Sequence, residues 1–193
     1  MSCIKKLTHN ITYDTCNLTY PAQGGLDGGK AVLINRSDID VTSLTRSGAT
    51  VTNLSLVSGA TGYEVSFVKQ LANTASEFTV NDGLDTFTHT FVGRIYTQSA
   101  TDSEIITQLA AGEFVVVVET KWKGENAADA YKILGVTNGL KMSEGTQTSL
   151  ENDGSYLFTL SSVENFGEPY PYNVYLETDY TTTKTKFNNL FAQ

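Results

Sequence analysis

Cysteine and histidine are nearly absent from this chain: Cys3, Cys16, His9 and His89 are all it has in 193 residues. The expected state of the two cysteines is a pair of free thiols in a reducing cytoplasm, not a disulfide. A zinc site from the four is not expected, because the 12 residues between Cys3 and Cys16 leave none of the close pairing that zinc motifs use. Cations are scarce too. Lysine and arginine number 13 against 21 acidic residues, a formal charge of −8. Lys5-Lys6 and Lys184-x-Lys186 are too sparse to offset it, which argues against a surface that grips phosphates. No apolar run approaches the roughly twenty residues a membrane-spanning helix needs. Residues 1–10 have no apolar stretch after Lys5-Lys6, so a secretory signal is not expected, and the sequons at Asn10, Asn17 and Asn53 carry little weight. Prolines number only three.

Apolar residues at 40% and 16 glycines, with many β-branched residues and much threonine, favour one ordinary β-rich domain. The organising stretch is 85–161. It reads as a strand (85–97), a helix (102–111), a strand (113–122), a strand (131–136), a turn at Asn138-Gly139-Leu140 and a strand (155–161). Thr101-x-x-Glu104 has the form of a capping box. Ile105, Ile106, Leu109 and Ala110 fall on one helical face, and Gly112 stands where helices stop. So short a helix must dock that face on a sheet. Residues 114–118 are apolar at every position, which suits a strand covered on both faces.

Before this stretch, residues 1–30 read as an irregular lead-in, with a glycine loop at 24–29 and a first core strand at 31–35. Residues 38–45 are a strand or a loop. Residues 50–57 and 62–68 look like a hairpin, with Tyr63, Val65 and Phe67 on one face. Residues 71–80 are a short helical turn or a wide loop, and Asn81-Asp82-Gly83 is a turn signal. Beyond it, 123–130 is a polar connection, 141–154 a long polar loop, 170–177 a last strand and 178–193 an extended arm. The domain reading is therefore 1–177 plus the arm 178–193. The expected architecture is mainly β: an antiparallel sandwich or small barrel with one flanking helix and extended loops.

No constellation in the sequence carries chemistry. Gly24-x-x-x-x-Gly29-Lys30 lacks the Ser or Thr that a phosphate-binding loop needs after its lysine, and it precedes no helix. His89, mid-strand, reads as a solvated or hydrogen-bonded structural residue. Glu119, if it points inward, needs a partner, for which Arg94 and Lys121 are candidates. Tyr170, Tyr172, Tyr175 and Tyr180 could stack on a sugar or a second subunit, although anchoring the last strand is the plainer role. No catalytic, cofactor-binding or metal-ligating residue is expected, and no enzymatic activity.

The order strand, capped helix, valine-rich strand ending in Glu119, then a strand running into Gly135-Val136-Thr137-Asn138-Gly139-Leu140, resembles the tail-tube and tail-ring structural proteins of bacteriophages. A polar loop and Asp153-Gly154-Ser155-Tyr156-Leu157-Phe158-Thr159-Leu160 follow. In phages of the Bacteroides type, including crAss-like ones, similar chains also open with a cysteine-containing N-terminus and a segment like Val32-Leu33-Ile34-Asn35, then Asp38-Ile39. The resemblance covers most of the chain, best over 87–164. It implies a virion structural protein, assembled in the host bacterial cytoplasm into a cyclic homo-oligomeric ring, a hexamer or a multiple of six, through which DNA passes. Its partners would be further copies and the adjacent tail or portal rings, with no specific nucleic-acid binding and no membrane. An acidic chain suits such a conduit, since like charge suppresses phosphate binding. Another virion component, or a carbohydrate- or receptor-binding β-sandwich, is the second reading; an unrecognised enzyme is a distant third.

Overall fold

Four consecutive valines, 115–118, set the layering. Alternate residues of a strand face opposite ways, so an unbroken apolar run needs a core on each side. The computed structural model, which describes residues 24–68, 70–80, 83 and 85–192, provides both. The strands are β1 (Leu26–Asn35), β2 (Thr45–Ser47), β3 (Thr50–Asn53), β4 (Tyr63–Ser66), β5 (Asn73–Thr79) and β6 (Thr86–Ile95), followed by helix α1 (Ala100–Ala111). After it come β7 (Phe114–Thr120), β8 (Tyr131–Leu134), β9 (Leu140–Gln147), β10 (Tyr156–Ser162), β11 (Asn173–Tyr175) and helix α2 (Tyr180–Asn188). The fold is mainly β, consistent with the expected sandwich and flanking helix, and the 11-stranded sheet does not close into a barrel.

The strands run β2-β3-β11-β8-β7-β9-β10-β6-β5, with β1 on the other side of β7 and β4 beyond β1. The β7–β9 link is one pair, Phe114 with Leu140. The sheet therefore folds over there into two packed halves. Between them lie Leu33, Val116, Val118 and Leu134 from one half, and Phe91, Phe158 and Leu160 from the other. The opposite face of β1, β7 and β8 presents Val32, Ile34, Val115, Val117 and Ile133, covered by Leu54, Leu56, Tyr175, Phe187 and Phe191.

Several expectations need correction. The glycine loop at 24–29 is the start of β1, so the strand begins inside the expected lead-in. Between Leu26↔Thr120 and Ala31↔Val118, β1 takes five steps where β7 takes two. The surplus forms a bulge at Gly28 and Gly29, whose φ of 70° and 66° favour glycine. Residues 71–80 hold strand β5, neither helical turn nor loop. The first half of 141–154 is strand β9, paired with β10 from Gln147 to Leu140. Both were hidden because they lie largely exposed and so lack an apolar period. The hairpin of 50–57 with 62–68 does not form: β3 pairs with β2 and, in parallel, with β11, while β4 pairs with β1. The segment 38–45 is turn and bridge, tied at Ile39↔Leu56.

Helix α1 starts earlier than its expected cap. Ser99 is the N-cap: its hydroxyl accepts from the Asp102 amide at 3.1 Å, and the Asp102 carboxylate accepts from the Ser99 amide at 2.8 Å. Only Leu109 of the expected face is buried, and Ile105 is 40% exposed. Gly112 ends the helix at φ −85°, outside the left-handed region. Glycine is needed there because a Cβ would run into the Phe114 ring. The expected arm 178–193 is helix α2, not an extended arm. Asp179 caps it by accepting from Thr182 at 2.7 Å, and Phe187 and Phe191 are 1% and 0% exposed. Cys3, His9, Cys16 and the Asn81-Asp82 part of the turn signal fall outside the described residues.

Candidate functional site

The buried polar groups are structural. His89 is fully buried; its Nε2 lies 2.8 Å from the Tyr170 carbonyl, and its Nδ1 accepts from the Gly135 amide at 3.3 Å. That pair of bonds selects the neutral Nε2–H tautomer, and burial pushes the imidazole below its ordinary value. Nearby, Glu168, which the sequence reading passed over, is also fully buried. Its carboxylate accepts from the Thr137 and Asn138 amides, each at 2.9 Å, and its backbone bridges Phe87. Together they fasten the segment before β11 to the turn after β8. No signal in the sequence separates Glu168 from the exposed acids around it.

Glu119 is buried, but its partners are neither Arg94 nor Lys121. Lys123 donates to it at 2.7 Å and the Tyr180 hydroxyl at 2.9 Å. Lys123 also pairs with Asp27 at 2.9 Å, and the Glu119 bond holds its ammonium above the ordinary value. The group ties β7 to the β1 bulge and to α2, which is what Gly24 through Lys30 serve in place of a phosphate loop. The late tyrosines diverge. Tyr175 is buried on Glu177, Tyr180 stacks on Tyr131 at 5.9 Å, and Tyr172 is exposed beneath Lys132. They form no common platform. Among the described residues no three His, Cys, Asp or Glu side chains come together as metal ligands, and no helix is long and apolar enough to cross a membrane.

Two surfaces remain. The first is the outer face of β9-β10-β6-β5. Phe87, His89, Phe91 and Gly93 of β6 take one side, leaving Thr86, Thr88, Thr90 and Val92 on the other. By register the outer face continues through Thr159 and Ser161, Lys141, Glu144 and Thr146, and Asn73, Ala75, Glu77 and Thr79. Hydroxyls dominate it, and its charges are one lysine and two glutamates. Its two outer strands differ: among the described residues β5 pairs only with β6, whereas β9 meets a strand other than β10 only at Leu140 and has helix α1 packed against it.

The second is an apolar groove of about 570 Å³, where the two halves of the sandwich part. Leu33, Leu109, Phe114 and Phe158 line it, with Tyr63 and Val65 of β4, Arg94 through Thr97 and Ile105 of α1. β5 stops level with Val92, so β6 continues past it to form one wall. Tyr63, Tyr96 and Ile105 are 55%, 41% and 40% exposed, more apolar surface than an isolated side chain leaves open. No family model, curated protein or solved structure matches the chain.

Proposed function

We propose that this chain is a virion structural protein, the subunit of a ring or tube in a bacteriophage tail that forms a conduit for DNA. The observation that supports the reading best is the four-stranded sheet β9-β10-β6-β5, whose β5 edge pairs with no further strand among the described residues. Each step across it is antiparallel, so its two outer strands run in opposite senses. When β5 of one copy meets β9 of the next, that junction is antiparallel as well. Every copy can repeat the contact, and such a head-to-tail interface closes into a ring when the rotation does. Closure covers the β5 edge, and an uncovered strand edge invites uncontrolled pairing.

The outer face suits the wall of such a conduit. Threonine and serine hydroxyls are wetted, and the single Lys141 stands against Glu77 and Glu144. Passing DNA meets no run of cations that would hold it. From the resemblance of 87–164 to phage tail proteins we take the proposed copy number, six or a multiple of six, and the proposed neighbours, adjacent tail or portal rings. Assembly in the host cytoplasm and a finished subunit in the virion belong to the same proposal. A carbohydrate-binding module is the second reading, for which the exposed Tyr63 and Tyr96 at the groove mouth are the available stacking surfaces.

Negative-stain microscopy with sedimentation of the purified protein tests this. Closed rings of one diameter are expected. A monomer at the highest soluble concentration, with affinity for an oligosaccharide panel, would replace the ring reading with the second one.

A further inference from the structure

The geometry points to a second copy of this chain as the occupant of the apolar groove, inserting Leu150 from its β9–β10 loop. The inference rests on the ring reading for which copy lies where, and on three features of the molecule for the contact.

The first is an unsatisfied side chain. Leu150 is 93% exposed, the most exposed of the large apolar residues described. It sits in the loop joining β9 to β10, beside Glu151. An apolar side chain held so far from its own core gains by entering an apolar cavity elsewhere. On the same molecule that cavity is present. A projection and a hole at different places on one surface make a head-to-tail contact that each copy can repeat.

Position is the second feature. Across the sheet, Glu144 of β9, Thr159, Val92 and Asn73 of β5 stand in one row. Asn73 is the first residue of β5, whereas β9 rises three residues further, to Gln147, before its loop begins. The groove opens at that upper level, against Arg94 through Thr97. A neighbour whose β9 lies along β5 therefore carries its loop past the start of β5, into the space beside the top of β6. On the copy that owns it, the same loop is anchored at its far end, where Gln98 and Gln147 both donate to the Gly154 carbonyl, at 2.7 and 3.3 Å.

Charge is the third. The incoming loop brings the Glu151 carboxylate next to Leu150, and the groove lining holds one cation, Arg94, and one carboxylate, Glu64, which already pairs with Lys30 at 3.7 Å. An opposite charge at the edge of an apolar contact fixes its orientation more than its strength.

The test uses the whole chain with Cys3→Ser and Cys16→Ser, to which Leu150→Cys or Ile105→Cys is added singly. A disulfide requires Cα atoms within about 7 Å, so oxidising a mixture of the two single variants reads the contact directly. The expected product is a mixed dimer, absent when Val41→Cys replaces Ile105→Cys. Separately, Leu150→Asp should weaken self-association at least about tenfold by sedimentation, with an unchanged melting curve because the side chain is exposed. Closed rings without the mixed disulfide, assembling equally well with Leu150→Asp, would overturn this contact and leave the ring reading standing. Mixed disulfide and weakened association without closed rings would keep the contact and discard the ring. A protein that stays monomeric and forms no mixed disulfide overturns both.

Discussion

His89 and Glu168 are two ionisable residues spent on holding a turn. The imidazole is neutral because Nδ1 must accept from the Gly135 amide while burial disfavours charge, and the nearby Glu168 carboxylate opposes that only in part. A histidine whose folded value lies below its ordinary 6.5 contributes stability in its neutral form. That contribution is complete above about pH 6.5 and is lost as the pH falls from there towards the folded value. Denaturation midpoints measured from pH 7.5 down to 5 should therefore fall more steeply for the parent than for His89→Gln. Parallel slopes would mean that the imidazole protonates in the folded chain without cost. Glu168→Ala strands the Thr137 and Asn138 amides and should cost roughly 1.5–3 kcal/mol at neutral pH, read as a lower denaturant midpoint at constant slope.

Among the elements, α2 and α1 differ in what their removal should do. Phe187 and Phe191 of the C-terminal segment fill the face of β1, β7 and β8 that the second sheet half does not reach. Phe187→Ala should cost about 3–5 kcal/mol, and a chain ending at residue 177 should lose its cooperative melt. A truncation that melts like the parent would return the segment to the status of an arm. Leu109 is the single buried residue of α1, beside a groove already open, so Leu109→Ala should cost about 2 kcal/mol, the low end for that change. The difference tracks what could be read from sequence. Residues 114–118 announced a two-sided strand because every position is apolar, and β6 because Phe87, His89 and Phe91 alternate with threonines. Strands β5 and β9 did not, since an exposed edge strand is held by backbone pairing that leaves no mark on side-chain type. Helix α2 hides behind Thr181, Thr182, Thr183 and Thr185, poor helix formers overridden by docking. The groove belongs to no segment: it arises where β5 stops short, which only the register reveals.

For the whole molecule, charge and surface chemistry make one further demand. A net charge of −8 gives a long-range repulsion towards DNA that screens out over about 8 Å at physiological salt. Within that distance the local surface decides. On the outer face of β9-β10-β6-β5 the local surface is hydroxyls with Lys141 set against Glu77 and Glu144, so no phosphate meets a cluster of cations. Non-specific DNA binders draw nearly all their affinity from releasing counterions at such clusters, and their affinity falls steeply with salt. This protein, assembled or not, should bind duplex DNA weakly at physiological salt and show little salt dependence in fluorescence anisotropy. Replacing Glu77 and Glu144 together by lysine turns the same face cationic, from one positive and two negative charges to three positive ones. If that face is the one DNA meets, the double variant should bind duplex DNA measurably at low salt and lose it on salt addition. Tight, salt-sensitive binding by the parent would instead mean that a basic surface outside the described residues governs the encounter.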